Sequence, residues 1–286
     1  MLYIINSLMC IFNRLKRILC YRNNRHKYVM SSNTLNNDSI FEQEMPDLNT
    51  PYTNCNNYVY NRNDIPGNIL SWNVNEVACF STPNSRQNIS KYLKEWNCDI
   101  ICLQGLYSEH SRRMIIEDLG DLYQYYLTGD LYKNYHMFED SGLFILSRYP
   151  IKFHKFVHFD NMRFPDTLCN KGVLYVTINN INIALTNFPY YNREYIELAF
   201  NTLKSNTPFD EYMVVGCLQK ENAHIQFNTE PNNHVYTNNN QTISDYILSL
   251  YSYIKLTVNV KLIDIKYISY NYPVLATIKK DFLYNL

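Results

Sequence analysis

Eight cysteines stand among the residues of this 286-residue chain best able to do metal or redox chemistry: Cys10, Cys20, Cys55, Cys79, Cys98, Cys102, Cys169 and Cys217. Their spacing has neither the close pairs of a zinc site nor a CxxC redox motif. Cys98 and Cys102 sit around Asp99-Ile100-Ile101 in an apolar run, where a free thiol behaves as a small core hydrophobe. A reducing intracellular setting is therefore expected. Carboxylates and histidines that could hold a hard cation or move a proton are scattered in the same way. Glu109, His110, Glu221, His224, His234 and Asp264 read as solvated loop residues, or as ligands of a metal site that would have to assemble from distant segments.

Whatever chemistry these groups do, the chain can build a frame for it. Apolar residues make up 46% and charged residues 18%, enough apolar surface to offset the entropy of ordering the chain. Lys+Arg and Asp+Glu balance at 26 each, so no whole-chain field draws in nucleic acid or anionic lipid. The 27 tyrosines beside only 7 glycines read as the codon bias of an AT-rich genome, such as those of some viruses and parasites, rather than as stacking platforms.

Three regions follow from composition. Residues 1–30 begin apolar and turn basic (Arg14, Lys16, Arg17, Arg22, Arg25, Lys27), and Ile4, Leu8, Phe12, Leu15 and Leu19 recur at helical spacing. This is the pattern of a helix lying in a membrane interface, with Cys10 and Cys20 as acylation candidates, or of a helix docked on the domain. The apolar run is too short to span a bilayer, and its charge follows rather than precedes it, unlike a secretory signal. Residues 31–66, rich in Asn, Ser, Thr and Asp, read as a linker. Residues 67–286 then alternate short β-rich runs with amphipathic stretches.

The spacing predicts strands over Asn68 to Val74, Asp99 to Leu103, Gly142 to Ser147, Val173 to Ile178, Ile181 to Thr186, Tyr212 to Val215, Thr242 to Ser249, Val258 to Asp264 and Val274 to Ile278. Helices are predicted over Asn84 to Trp96, Glu109 to Leu119 and Glu194 to Leu203. This order suits a four-layered α/β sandwich, two packed mixed β-sheets flanked by helices.

Several strings, in order, resemble the endonuclease/exonuclease/phosphatase superfamily, whose fold is the DNase-like sandwich, and within it the neutral sphingomyelinase branch. They are Leu70-Ser71-Trp72-Asn73-Val74-Asn75, Cys98-Asp99-Ile100-Ile101-Cys102-Leu103-Gln104, Ser141-Gly142-Leu143-Phe144-Ile145-Leu146-Ser147-Arg148-Tyr149-Pro150, Asp166 with Lys171-Gly172, and Ile243-Ser244-Asp245-Tyr246-Ile247. The resemblance implies that Asn73 faces metal and phosphate, that Asp245 orients a catalytic histidine, and that Lys171 belongs to a branch-specific, ligand-facing motif.

Other family positions depart. Where the resemblance implies a metal-binding Glu, the chain has Gly105; where it implies histidines, it has Phe188 and Asn271. The Gly-Asp-x-Asn string becomes Gly216-Cys217-Leu218-Gln219, and Ser-Asp-His becomes Ser269-Tyr270-Asn271. A hard cation wants carboxylate oxygens, water activation wants an ionised base, and phosphate departure wants an acid. Glycine, a thiol and neutral amides supply none of these. The expectation is an inactive homologue of metal-dependent phosphodiesterases with no catalytic residue set intact, no cofactor, and Asn73 and Asp245 as remnants. Phe188 and Leu218 are expected to fill the cleft or make it apolar. A protein or lipid partner is expected, with a membrane surface reached through residues 1–28; nucleic acid is not. The alternative is an active Mg²⁺-dependent phosphodiesterase, sphingomyelinase-like, nuclease or phosphatase, whose site has moved.

Overall fold

In the computed structural model, the residues described are 65–76, 83–129, 141–160, 162, 166, 170–189, 193–219, 223, 227, 243–261 and 271–280. All lie in one compact unit, residues 48–76 and 82–286; the other, 1–47 with 77–81, lies outside the described residues. The membrane-facing reading of residues 1–30, and the linker reading of 31–66 apart from Ile65 and Pro66, fall outside them too.

Runs of β-branched and aromatic residues form the strands, and amphipathic segments between them form the helices. In chain order they are β1 (Asn68–Glu76), α1 (Pro83–Trp96), β2 (Ile100–Leu106), α2 (Glu109–Leu119), β3 (Tyr125–Thr128), β4 (Phe144–Ser147), β5 (Ile151–His158), β6 (Gly172–Ile178), β7 (Ile181–Asn187), α3 (Arg193–Ser205), β8 (Met213–Cys217), β9 (Asp245–Ser249), β10 (Ile254–Val260) and β11 (Val274–Lys280). Ser108 caps α2 by accepting from the Ser111 amide at 3.4 Å, and Glu109 in the first turn complements the helix dipole.

One sheet runs β10-β11-β1-β2-β4-β3 and the other β5-β6-β7-β8-β9. Both are mixed: β1 is parallel to β2 and β7 to β8, and the remaining pairs are antiparallel. Helices α1 and α2 cover the outer face of the six-stranded sheet, where Ile89, Leu93, Ile115 and Leu119 meet Leu70, Trp72, Ile101 and Leu103. Helix α3 covers the five-stranded sheet through Ala199, Phe200 and Leu203 against Tyr175, Ala184 and Val214. The α/β/β/α layering is the one the sequence predicts.

The inner faces carry the site. Side chains alternate along a strand, so Ile69, Ser71 and Asn73 of β1 share the inner face, as do Ile100, Cys102 and Gln104 of β2. On the opposing sheet the same holds for Ile183, Leu185 and Asn187 of β7, for Met213, Val215 and Cys217 of β8, and for Asp245 and Ile247 of β9. The apolar members of these rows make one core between the sheets. Each row becomes polar or thiol-bearing at the same end of the sandwich, the C-terminal end of the parallel pairs β1–β2 and β7–β8.

Two strands were not predicted and one predicted strand has a different start. Strand β5 and strand β3 are additional to the predicted set, and β10 (Ile254–Val260) starts four residues before the predicted Val258 to Asp264, of which residues 262–264 lie outside the described residues. Tyr125 and Tyr126 form the start of β3, where Tyr126 is buried against Phe144. The Ser147-Arg148-Tyr149-Pro150 turn is tied down locally: Ser147 Oγ donates to the Tyr149 carbonyl at 2.8 Å, and the Arg148 amide donates to the Asp99 carbonyl at 3.1 Å.

Candidate active site

Register brings the site residues together. Asn187 stands opposite Cys217, and Cys217 opposite Asp245, so β7, β8 and β9 present an amide, a thiol and a carboxylate side by side. Facing them, Asn73 of β1 pairs in register with Gln104 of β2. Asn271, just before β11, closes the group. Its carbonyl accepts from Trp72 Nε1 at 2.9 Å, and its amide donates to Asp245 Oδ2 at 2.6 Å. Ser244 Oγ donates to the same carboxylate oxygen at 2.7 Å.

Cys217 lies at the centre with no exposed surface. Gln219 Nε2 lies 2.9 Å and Asn271 Nδ2 4.0 Å from its sulfur. Burial and then the negative charge of Asp245 push its thiol well above the usual thiol range, against hydrogen bonds from the Asn73 side chain, the Gln219 backbone and the Ser244 side chain. Its burial therefore favours the neutral thiol over the thiolate.

Gly105 lies where the β1–β2 register shifts, between the Asn73↔Gln104 and Glu76↔Leu106 pairs, with φ at 69°. A side chain there would strain the backbone. The β8 end keeps a similar signature. Gly216 has φ at 129°, with an added Cβ falling 1.9 Å from the Thr186 carbonyl oxygen, and Gln219 has φ at 51°.

Lys171 Nζ pairs with Asp166 Oδ1 at 2.9 Å and donates to the Phe188 carbonyl at 3.2 Å. Its charge is compensated within the fold. Phe188 is placed differently from expectation. Adjacent to Asn187, its ring turns to the outer face, edge to face with Phe159 at 5.5 Å and Phe200 at 4.7 Å, in the core beneath α3 that also holds Leu218. Neither residue fills the space between the sheets; the strand pleat sends them the other way.

Asn73, Gly105, Gln219, Cys217, Asp245 and Asn271 thus gather at one end of the sandwich, while Tyr270 lies outside the described residues. Sequence reading passed over Asn187, Ser71 and Gln104. The last two bond to each other, Gln104 Nε2 to Ser71 Oγ at 3.1 Å, and both are fully buried. The period-two continuation of Ile69 and of Ile100-Cys102 was the signal that could have found them.

This donor set does not fit Mg²⁺, which asks for carboxylate oxygens in octahedral array. The inner polar layer offers amides, a neutral thiol and one carboxylate, whose Oδ2 already accepts two hydrogen bonds. Among the described residues no three His, Cys, Asp or Glu side chains converge on a metal position. Of the relocation candidates, Glu109 pairs with Arg113 at 2.5 Å and His110 is exposed, while Glu221, His224, His234 and Asp264 lie outside the described residues.

Two packed mixed sheets with a polar cluster at the ends of their parallel strands define the class of DNase-like sandwiches. The model of the Endonuclease/Exonuclease/phosphatase family matches residues 70–248, and the chain belongs to that family. A sphingomyelinase of Dictyostelium discoideum is 36% identical over 94 residues, which are 31% of this chain and 20% of that protein. The chain thus spans about a fifth of the length of the relative it matches. Among solved structures, a beta toxin from Staphylococcus aureus superposes with a TM-score of 0.58 at 17% identity, over 74% of this chain and 99% of that one. Sphingomyelinase C from Streptomyces griseocarneus gives 0.56 at 15% identity, over 75% and 99%. An AP endonuclease from Archaeoglobus fulgidus gives 0.51 at 15%, over 74% and 99%. At such identities these structures establish the shared fold.

Proposed function

We propose that this chain is a non-hydrolysing homologue of the metal-dependent phosphodiesterases, similar in kind to the sphingomyelinases, and that it works by binding a protein or lipid partner. One observation carries the reading: the Asp245 carboxylate is bound by the amide of Asn271 and the hydroxyl of Ser244, beside a buried neutral thiol at Cys217. Where family members would need a base to align water beside a proton donor, this layer offers a carboxylate oxygen engaged by two donors, neutral amides and a buried thiol. Asn73 and Asp245 are remnants held by hydrogen bonds, and Lys171 supports the fold through Asp166.

The free thiols Cys98, Cys102 and Cys217 support a cytoplasmic setting, and the basic amphipathic residues 1–28 support attachment to a membrane surface there. The local likeness to a sphingomyelinase favours a second reading, an active Mg²⁺-dependent sphingomyelin hydrolase using ligands outside the inner layer. The two separate in an assay of purified full-length protein with sphingomyelin, single- and double-stranded DNA and inositol phosphates, under Mg²⁺, Mn²⁺ and Zn²⁺ in turn. No turnover above buffer is expected. Metal-dependent cleavage that Asp245→Asn abolishes would overturn the proposal.

A further inference from the structure

A different surface, away from the polar end, points to how a partner is held. Strand order leaves β5 at the edge of the five-stranded sheet, of which it is the longest strand at eight residues. After an irregularity between Ile151 and Phe153, its ladder to β6 runs in unbroken register from Phe153 to His158. Antiparallel geometry turns the N–H and C=O of alternate residues away from β6. Among the described residues no strand or backbone hydrogen bond reaches that side.

The side chains on this edge share one sign. Lys152, Phe153, His154 and Lys155 are exposed in succession, His158 follows, and the strand carries no carboxylate. Lys152 Nζ donates to Asn180 Oδ1 at 3.2 Å, and among the described residues no carboxylate pairs with Lys152 or Lys155. Asp160, past the strand end, and Asp210, beside Phe209, are exposed. Phe153 is 39% exposed, yet its ring is held edge to face by Phe209 at 5.7 Å, and Phe209 in turn rests on Tyr175 at 6.2 Å.

Lysines on an edge strand protect it from self-pairing. Protection alone does not account for a supported, exposed phenylalanine between them, nor for an irregularity at the start of the edge that leaves six residues in unbroken register. We propose that β5 accepts an extended acidic segment of a partner protein as a sixth strand. Main-chain bonds on the open side of β5 hold it, carboxylates meet Lys152 and Lys155, and an apolar side chain rests on Phe153 and Phe209. An anionic bilayer matches the charge but leaves the backbone groups of the edge unpaired.

The proposal gives the protein partner of the preceding section a surface and rests on that half of the reading alone. Failure here leaves the absence of turnover standing, and turnover would leave this surface intact. The test titrates full-length protein into a fluorescein-labelled peptide of alternating Glu and Val at low ionic strength, with the Lys-for-Glu peptide and phosphatidylserine-containing vesicles as the other arms. The acidic peptide binds, the basic one does not, and amide exchange slows over β5. A Lys152→Glu/Lys155→Glu variant, both positions being solvent-exposed, weakens binding by roughly tenfold and reverses the preference. Equal binding of both peptides, insensitivity to the charge reversal, or association with the vesicles and not the peptide would overturn it.

Discussion

Asn271 and Asp245 form a hydrogen bond between the two sheets: the amide nitrogen of one lies 2.6 Å from the carboxylate oxygen of the other. The same residue accepts from Trp72 through its backbone carbonyl, so the position where the motif resemblance implies a histidine is here a stitch between β1 and β9.

Replacing that stitch tests what it does. Asn271→Ala leaves a buried carboxylate short of a donor and is expected to destabilise by about 1–3 kcal/mol in urea unfolding. Asn271→His returns an imidazole beside Asp245 and restores no phosphodiester cleavage, because neither a metal site nor a water-aligning carboxylate returns with it. Cleavage by this single variant would show the rest of the site to be competent.

Gly105 offers a backbone test. Its φ of 69° strains any L side chain, so Gly105→Glu is expected to cost about 1–3 kcal/mol. Calorimetric titration with Mg²⁺ is expected to show no binding. Tight binding without loss of stability would mean that the bend at the β1–β2 register shift accommodates a ligand.

Phe188 tests the outer core rather than the cleft. Its ring is fully buried between Phe159 and Phe200, so Phe188→Ala lowers stability by about 3–5 kcal/mol, read from the denaturation midpoint. Were Phe188 a plug between the sheets, the same change would open that space with a smaller penalty and new accessibility of Cys217 to thiol reagents. No such labelling is expected in the native state.

Alkaline pH should weaken the fold. Burial, aided by Asp99, pushes the Cys98 thiol up to about 12 from an ordinary 9.0, and burial pushes the Tyr251 hydroxyl up to about 12 from 10.0. Both groups hold their protons in the folded state at pH values where the unfolded chain releases them. Their contribution to stability is whole below about pH 9 and is lost as pH rises from there toward 12. Unfolding midpoints between pH 8 and 11 should fall steadily, and a flat profile would contradict the burial of these groups.

The layering could be read from alternating β-rich and amphipathic runs, because strands buried on both faces, such as Ile100-Ile101-Cys102-Leu103, announce themselves by apolar continuity. Strand β5 did not: an edge strand reading Ile-Lys-Phe-His-Lys has too few apolar residues to show a period of two. Gly105, Phe188, Cys217 and Asn271 could be singled out one by one from their motifs, but the direction of each side chain could not. A neighbour in sequence, Asn187 rather than Phe188, faces Cys217, and only the pairing of β7 with β8 decides which. Ser71 and Gln104 escaped because small polar residues inside a strand look like solvent-facing ones until the opposing sheet is in place.

Each inward row, Ile69-Ser71-Asn73 or Met213-Val215-Cys217, spends its first residues holding the sheets together and its last on the buried polar layer at one end. The division separates two kinds of constraint. Changes at the apolar end are felt by folding, whereas changes at the polar end are tolerated as long as each buried group finds a hydrogen-bond partner. A scaffold divided this way can change the groups at its polar end without losing its shape.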